Sequence, residues 1–148
     1  MNTAAPRVDF YVLPDTDTGA RLRFACRLTE KAYKLDNRTH AHVAGAAQVR
    51  QFDEMLWTFR PGSFVPHEIA DQTPPENSPV APVTIGHDAE AEFSGDLLIN
   101  LADTIPPFFD RFARVAEIID SSAECRQRGR ERFAFYRENG YEPETHKL

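Results

Sequence analysis

The residues of this sequence with the clearest capacity for chemistry lie near its C-terminal end. Residues 122–140 contain five arginines (126, 128, 130, 132 and 137) and three glutamates (124, 131 and 138). An arginine guanidinium is planar and permanently charged, and its fork of N–H donors grips a carboxylate or phosphate through two bonds, as a lysine ammonium does not. Placed on a helix at about 100° per residue, Arg126, Arg130, Phe133 and Arg137 fall within about 60° of one another. Cys125, Gly129, Arg132 and Tyr136 occupy the adjacent sector, expected to face the core, and the three glutamates collect on a third side. A solvated helix face ordinarily interleaves opposite charges at i, i+4. Here the signs are sorted and an aromatic ring lies among the cations, which suits a small anionic ligand. The plain alternative is an arginine-rich face turned to solvent.

A second feature is Trp57, the single tryptophan. The spacing of Val49, Phe52, Leu56 and Phe59 predicts a helix over 46–59 with those side chains inward. Trp57 then lies well off that stripe, beside Arg50 and Asp53. An exposed ring near arginines is common hot-spot material for binding. The alternative is a ring covered by the following loop, Arg60–Pro66.

Enzyme motifs are tested and fail. The glycines are at 19, 45, 62, 86, 95, 129 and 140, too far apart for a dinucleotide fingerprint or a phosphate loop. The first strand-to-helix turn, Pro14–Gly19, carries two aspartates and would repel phosphate. His67-Glu68-Ile69-Ala70-Asp71 begins like a zinc-protease helix but has Asp71 where the second histidine belongs. His40 and His42 could share a strand face, with no third ligand evident, so half-buried or surface imidazoles are expected. Ser63 and Ser94 lack a nucleophile turn. Cys26 and Cys125 are far apart and fit buried thiols rather than a redox or metal pair. No metal, no cofactor and no catalytic residue is expected.

These features need a scaffold, and 148 residues suit one domain, 1–148, able to bury a core without disulfides or metal. Apolar residues make up 41% and charged residues 27%, ordinary for a globular chain. Net charge is −6, so with the arginine-rich segment at +2 the remainder carries −8. That balance opposes a long polyanion and favours a local anionic ligand. No apolar stretch approaches the ~20 residues of a membrane span, and no signal pattern opens the chain, so the expected compartment is the cytoplasm. Alternation and apolar runs predict strands at 8–13, 40–44, 83–85 and 96–101, with 63–70 prone to extension. Helical periodicity predicts helices over 19–36, 46–59, about 105–119 (carrying Ile105, Phe108, Phe109, Phe112, Val115, Ala116 and Ile119) and 121–139. Residues 71–82, with four prolines, read as an exposed loop, and 142–148 as a short tail. The order implies a three-layer α/β/α domain with a mainly parallel sheet, Rossmann-like but without a nucleotide-binding loop.

At this level the sequence is recognisable. The run Gly129-Arg130-Glu131-Arg132-Phe133-Ala134-Phe135-Tyr136-Arg137-Glu138-Asn139-Gly140-Tyr141 resembles the C-terminal helix of the chi subunit of bacterial DNA polymerase III. Asp53-Glu54-Met55-Leu56-Trp57 with Ser63-Phe64-Val65-Pro66-His67, the opening Phe10-Tyr11-Val12-Leu13, and Asp96-Leu97-Leu98-Ile99-Asn100-Leu101 are similar to that family in kind and order. The resemblance implies a non-catalytic subunit of the clamp-loader complex that pairs with the psi subunit. It also implies binding of the acidic, Phe-ended C-terminal tail of single-stranded DNA-binding protein, so that DNA is met only indirectly. Carried over residue by residue, it implies tail-binding roles for Arg126, Arg130, Phe133 and Arg137, with Trp57 and Phe64 as aromatic positions and Ile119 as an apolar one. Phe133 and Ala134 stand where the family can carry a tyrosine or a further basic residue. Two other classes remain as alternatives: a direct single-stranded nucleic-acid binder, which needs a longer basic groove with several stacking rings, and a small phosphate- or nucleotide-using α/β enzyme.

Overall fold

A computed structural model describes residues 5–70, 81–90 and 93–148. The Pro-rich stretch expected at 71–82 lies outside the described residues except for its last two positions. Along the chain come β1 (Arg7–Val12), α1 (Thr18–Lys34), β2 (Thr39–His42), α2 (Ala46–Thr58), β3 (His67–Ile69), β4 (Val83–Gly86) and β5 (Gly95–Asn100). A 3-10 turn (Pro107–Arg111), β6 (Phe112–Ile119), α3 (Ala123–Glu138) and β7 (Glu144–Lys147) complete it. The strands form one open sheet in the order β3-β4-β2-β5-β6-β1-β7, with every pairing parallel.

A parallel sheet must be covered on both faces. On one face, Leu22, Ala25 and Cys26 of α1 and Val49, Phe52 and Leu56 of α2 pack on Ala41, Ile85, Ile99 and Ile118. On the other, α3 and the 3-10 turn pack Tyr136, Phe133, Phe108 and Phe109 on Val8, Phe10, Leu98 and Val115. The α/β/α layering expected from the sequence holds, with two helices on one side and one on the other. Helix ends follow their local chemistry. Asp17 caps α1 by accepting from the Ala20 N–H at 2.6 Å. Ser122 caps α3 by accepting from the Cys125 N–H. Gly140 ends α3 with φ of 88°, a conformation that side chains disfavour.

Two expectations are corrected. The segment expected as a helix at about 105–119 is the 3-10 turn followed by strand β6. Its apolar residues fill both faces: Ala116 and Ile118 join one core and Val115 and Ile119 the other. A strand buried on two sides loses the alternation that would mark it, and its spacing then mimics a helix. The expected tail at 142–148 contains β7, which extends the sheet beyond β1. Four residues are too few to carry a periodic signal.

The helix α3 is pinned to the sheet by one carboxylate. Glu117 of β6 is fully buried and accepts from Arg132 Nε at 2.8 Å, from the Tyr136 hydroxyl at 2.8 Å and from Asn100 Nδ2 at 3.0 Å. Arg132 Nη1 also donates to the Asp103 carbonyl at 3.1 Å. Burial, with the neighbouring carboxylate, pushes the Tyr136 hydroxyl far up, so it remains a donor. On the same side of the sheet, His40 stacks on Phe93 at 3.9 Å and His42 meets Phe108 edge-on at 5.7 Å. Both imidazoles are buried rather than half-buried or at the surface. Desolvation holds them down to about 3 and about 4 respectively, so they are neutral at pH 7.

Two outcomes are expected. Arg132→Ala strands a buried charge and should lower stability by about 3–5 kcal/mol, read by urea unfolding at pH 7. The two histidines bind protons more readily in the unfolded chain, whose ordinary value is about 6.5. Their contribution is therefore complete above about pH 6.5 and is lost as pH falls towards their folded values. Unfolding free energy should drop by roughly 2 kcal/mol per histidine between pH 7 and pH 5. A flat profile over that range would contradict the dry environment assigned to them.

Candidate functional site

The arginines of α3 divide into two groups. Arg132 is consumed by Glu117, and Arg128 pairs with Glu124 at 3.4 Å and with Asp103 at 3.7 Å. Among the described residues Arg126, Arg130 and Arg137 have no acidic partner, and Arg130 only donates to the Gln127 amide oxygen at 3.0 Å. All three are exposed. Gly129, Arg132 and Tyr136 are buried, as the helix periodicity predicts; of the two thiols expected to be buried, Cys26 is buried and Cys125, on the rim of this face, is half-buried.

A cleft of about 230 Å³ opens between this basic side of α3 and the edge of the sheet. Its helical wall is Arg126, Gly129, Arg130 and Phe133. Its floor is Phe10 and Val12 of β1 and Ile119 of β6, and its outer side is Thr145 and Lys147 of β7. Phe133 is half-buried and meets the buried Phe10 edge-on at 5.2 Å, so the apolar floor of the slot is closed beneath a ring that stays partly accessible. Gly129 sets how close helix and strand approach, since a Cβ there would lie 2.3 Å from Ile119 Cδ1. The result is an apolar slot with guanidinium groups at its mouth. Its chemistry is complementary to a ligand with an aromatic end and negative charge.

Of the residues singled out in the sequence, the cleft joins Arg126, Arg130, Phe133 and Ile119. Arg137 lies farther along α3 and does not line it. Trp57 and Phe64 are not brought to it. α2 packs on the opposite face of the sheet, so a site shared with Phe133 is ruled out by geometry. Trp57 is 54% exposed and leans on His67 at 4.5 Å, and Phe64 is 79% exposed. Trp57 is thus not covered by the following loop. Phe64 borders a polar hollow of about 530 Å³ in which Glu30 accepts hydrogen bonds from Arg60 and Ser63. His67 sits on a strand, with Nε2 3.0 Å from Asp53, and does not begin a metal-binding helix.

Sequence reasoning missed Phe10, Val12, Thr145 and Lys147. The apolar alternation of Val8, Phe10 and Val12 announces a buried face, but not that its outer end stays open. Nothing in the sequence pattern brings residues 145–147 beside residue 126.

Known proteins resemble this chain over nearly its full length. The family described as DNA polymerase III chi subunit, HolC, matches residues 5–144. A relative from Pseudomonas aeruginosa, named DNA polymerase III subunit chi, is 43% identical over 142 residues, covering 96% of each chain. Relatives of the same name from Escherichia coli and Haemophilus influenzae are 29% and 26% identical, covering 92% and 97% of this chain and 94% and 99% of their own. With a match across nearly the whole fold, including the helix that builds the cleft, the chain belongs to the DNA polymerase III chi subunit family.

Proposed function

We propose that the chain is a non-catalytic adaptor in DNA replication that binds the acidic C-terminal tail of single-stranded DNA-binding protein in the α3 cleft. Membership of the family makes it an accessory subunit of DNA polymerase III. The observation that carries the finer reading is the set of arginines without acidic partners around an apolar slot. A peptide that ends in Phe with a free carboxylate matches that slot at both ends. Arg130, central on the helical wall, takes the terminal carboxylate. Phe133, Ile119 and Phe10 receive the ring. Arg126, and Arg137 beyond the cleft, face the acidic residues that precede it.

The adaptor needs a second surface, which would join it to the psi subunit and through it to the clamp loader. The exposed rings of Trp57 and Phe64, which do not line the cleft, support such a surface. A replication role supports a cytoplasmic compartment; among the described residues no helix is long and apolar enough to cross a membrane.

Calorimetry with a tail peptide tests the cleft. A partly desolvated Arg–carboxylate pair contributes about 1.5–3 kcal/mol, so Arg130→Ala should weaken binding ~10- to 100-fold. Exposed rim pairs contribute about 0.2–1 kcal/mol, so Arg126→Ala or Arg137→Ala should cost roughly fivefold or less and flatten the salt dependence. Deleting the terminal Phe of the peptide should remove most binding at any salt. Trp57→Ala and Phe64→Ala should leave peptide affinity unchanged. If Arg130→Ala binds like the unmodified protein while Trp57→Ala does not, the tail occupies the other surface.

Direct binding to single-stranded DNA should be weak, because an acidic surface repels phosphates and few counterions are released. Titration of a labelled oligonucleotide should give no sub-micromolar binding at ~150 mM salt.

A further inference from the structure

The C-terminal strand is the part of the cleft that no motif announces. We propose that β7 forms the outer wall of the peptide site and delivers Lys147 to it as a third cation, with Asp9 and His146 as the positioning residues that hold that strand from the opposite face of the sheet. This rests on the reading of the cleft as a site for an acidic, aromatic-ended peptide. The family model matches residues 5–144, so Thr145 and Lys147 lie outside that match.

β7 is an edge strand of four residues that pairs with β1 alone. So short a strand, hydrogen-bonded along one side, is marginal without further support. Side chains alternate between faces, and here each face has its own task. Thr145 and Lys147 turn into the cleft beside Arg126 and Arg130. Glu144 and His146 turn to the other face, where they meet the side chain of Asp9 on β1 and its neighbours. Asp9 is fully buried and accepts from His146 Nε2 at 2.9 Å. It also lies 3.3 Å from Arg7 Nε and 3.5 Å from Arg114 Nη2. Arg7 in turn pairs with Glu144 at 3.2 Å, and the His146 ring stacks on Tyr11 at 5.1 Å.

The ligand atoms of Asp9, Glu144 and His146 lie within 4.8 Å of one another, a spacing that could hold a metal ion. Two guanidinium groups already supply the positive charge, so the cluster acts as a latch between strands. A buried carboxylate that has lost a partner is costly, so the pairing fixes the register of β7 against β1. That register in turn fixes where Lys147 sits. Among the described residues Lys147 has no acidic partner, and it is exposed at the mouth of the cleft. It is therefore free to meet the acidic residues of a bound peptide.

Calorimetry on the full chain, with amide exchange of residues 144–148, tests the proposal. Two synthetic probes are used: an acidic peptide ending in Phe, and the same peptide with its acidic residues replaced by their amides. Lys147→Ala should weaken the acidic peptide two- to fivefold and leave the neutral one unchanged. His146→Ala should speed exchange across β7 and weaken the acidic peptide at least as much. His146→Gln, which keeps a donor for Asp9, should restore both in large part. If Lys147→Ala and His146→Ala bind the acidic peptide as the unmodified protein does, β7 is no part of the site and the proposal is overturned, while the cleft reading stands. If exchange across β7 is unchanged in His146→Ala, the positioning role is overturned. If the unmodified protein binds neither peptide, the cleft reading falls and the proposal falls with it.

Discussion

The buried carboxylate of Glu117 is the constraint on which the rest of this structure depends. A carboxylate removed from water is tolerated only when its lone pairs are met by donors. Here Arg132, Tyr136 and Asn100 meet them, from α3 and from the neighbouring strand β5. The arrangement ties three elements together at one point. It also fixes the rotation of α3 about its own axis, because only one face of the helix can present Arg132 and Tyr136 to Glu117. Once that face is turned inward, the helical period places Arg126, Arg130 and Phe133 at the side, over the edge of the sheet. The orientation of the cleft is thus a consequence of the buried network.

The unequal covering of the two faces explains why a cleft exists at all. Two helices pack against each other on one side and close it. On the other, a single helix and a short 3-10 turn cover the centre, and β7 with the C-terminal end of β1 is left partly bare beyond it. Gly129 brings the helix down onto Ile119, so the opening is a narrow slot rather than a gap. The slot is apolar below and basic above. Its chemistry suits a short ligand that carries both a ring and negative charge, and it sits on a protein whose overall charge opposes longer polyanions.

The exposed aromatic surface around Trp57 and Phe64 is a separate matter. It comprises Trp57 of α2 and Phe64 of the loop that follows, and α2 covers the face of the sheet opposite the cleft.

The sequence by itself determined the elements with strong local signals. The alternation of Val8, Phe10 and Val12, the stripe of Val49, Phe52 and Leu56, and the sorting of charges on α3 are all local periodicities, and each survives folding because a single strand or helix carries it. The missing glycine-rich turns were equally legible, since they are motifs of contiguous residues. Tertiary structure alone decided that residues 112–119 form a strand, because burial on both faces erased its alternation. It alone placed β7 beside β1, because four residues gain strand geometry only from a partner. It also decided that Trp57 and Arg130 lie on opposite sides of the sheet. Which face of a sheet a helix covers depends on how the chain crosses over between strands, and that is a long-range property with no signature in residue spacing.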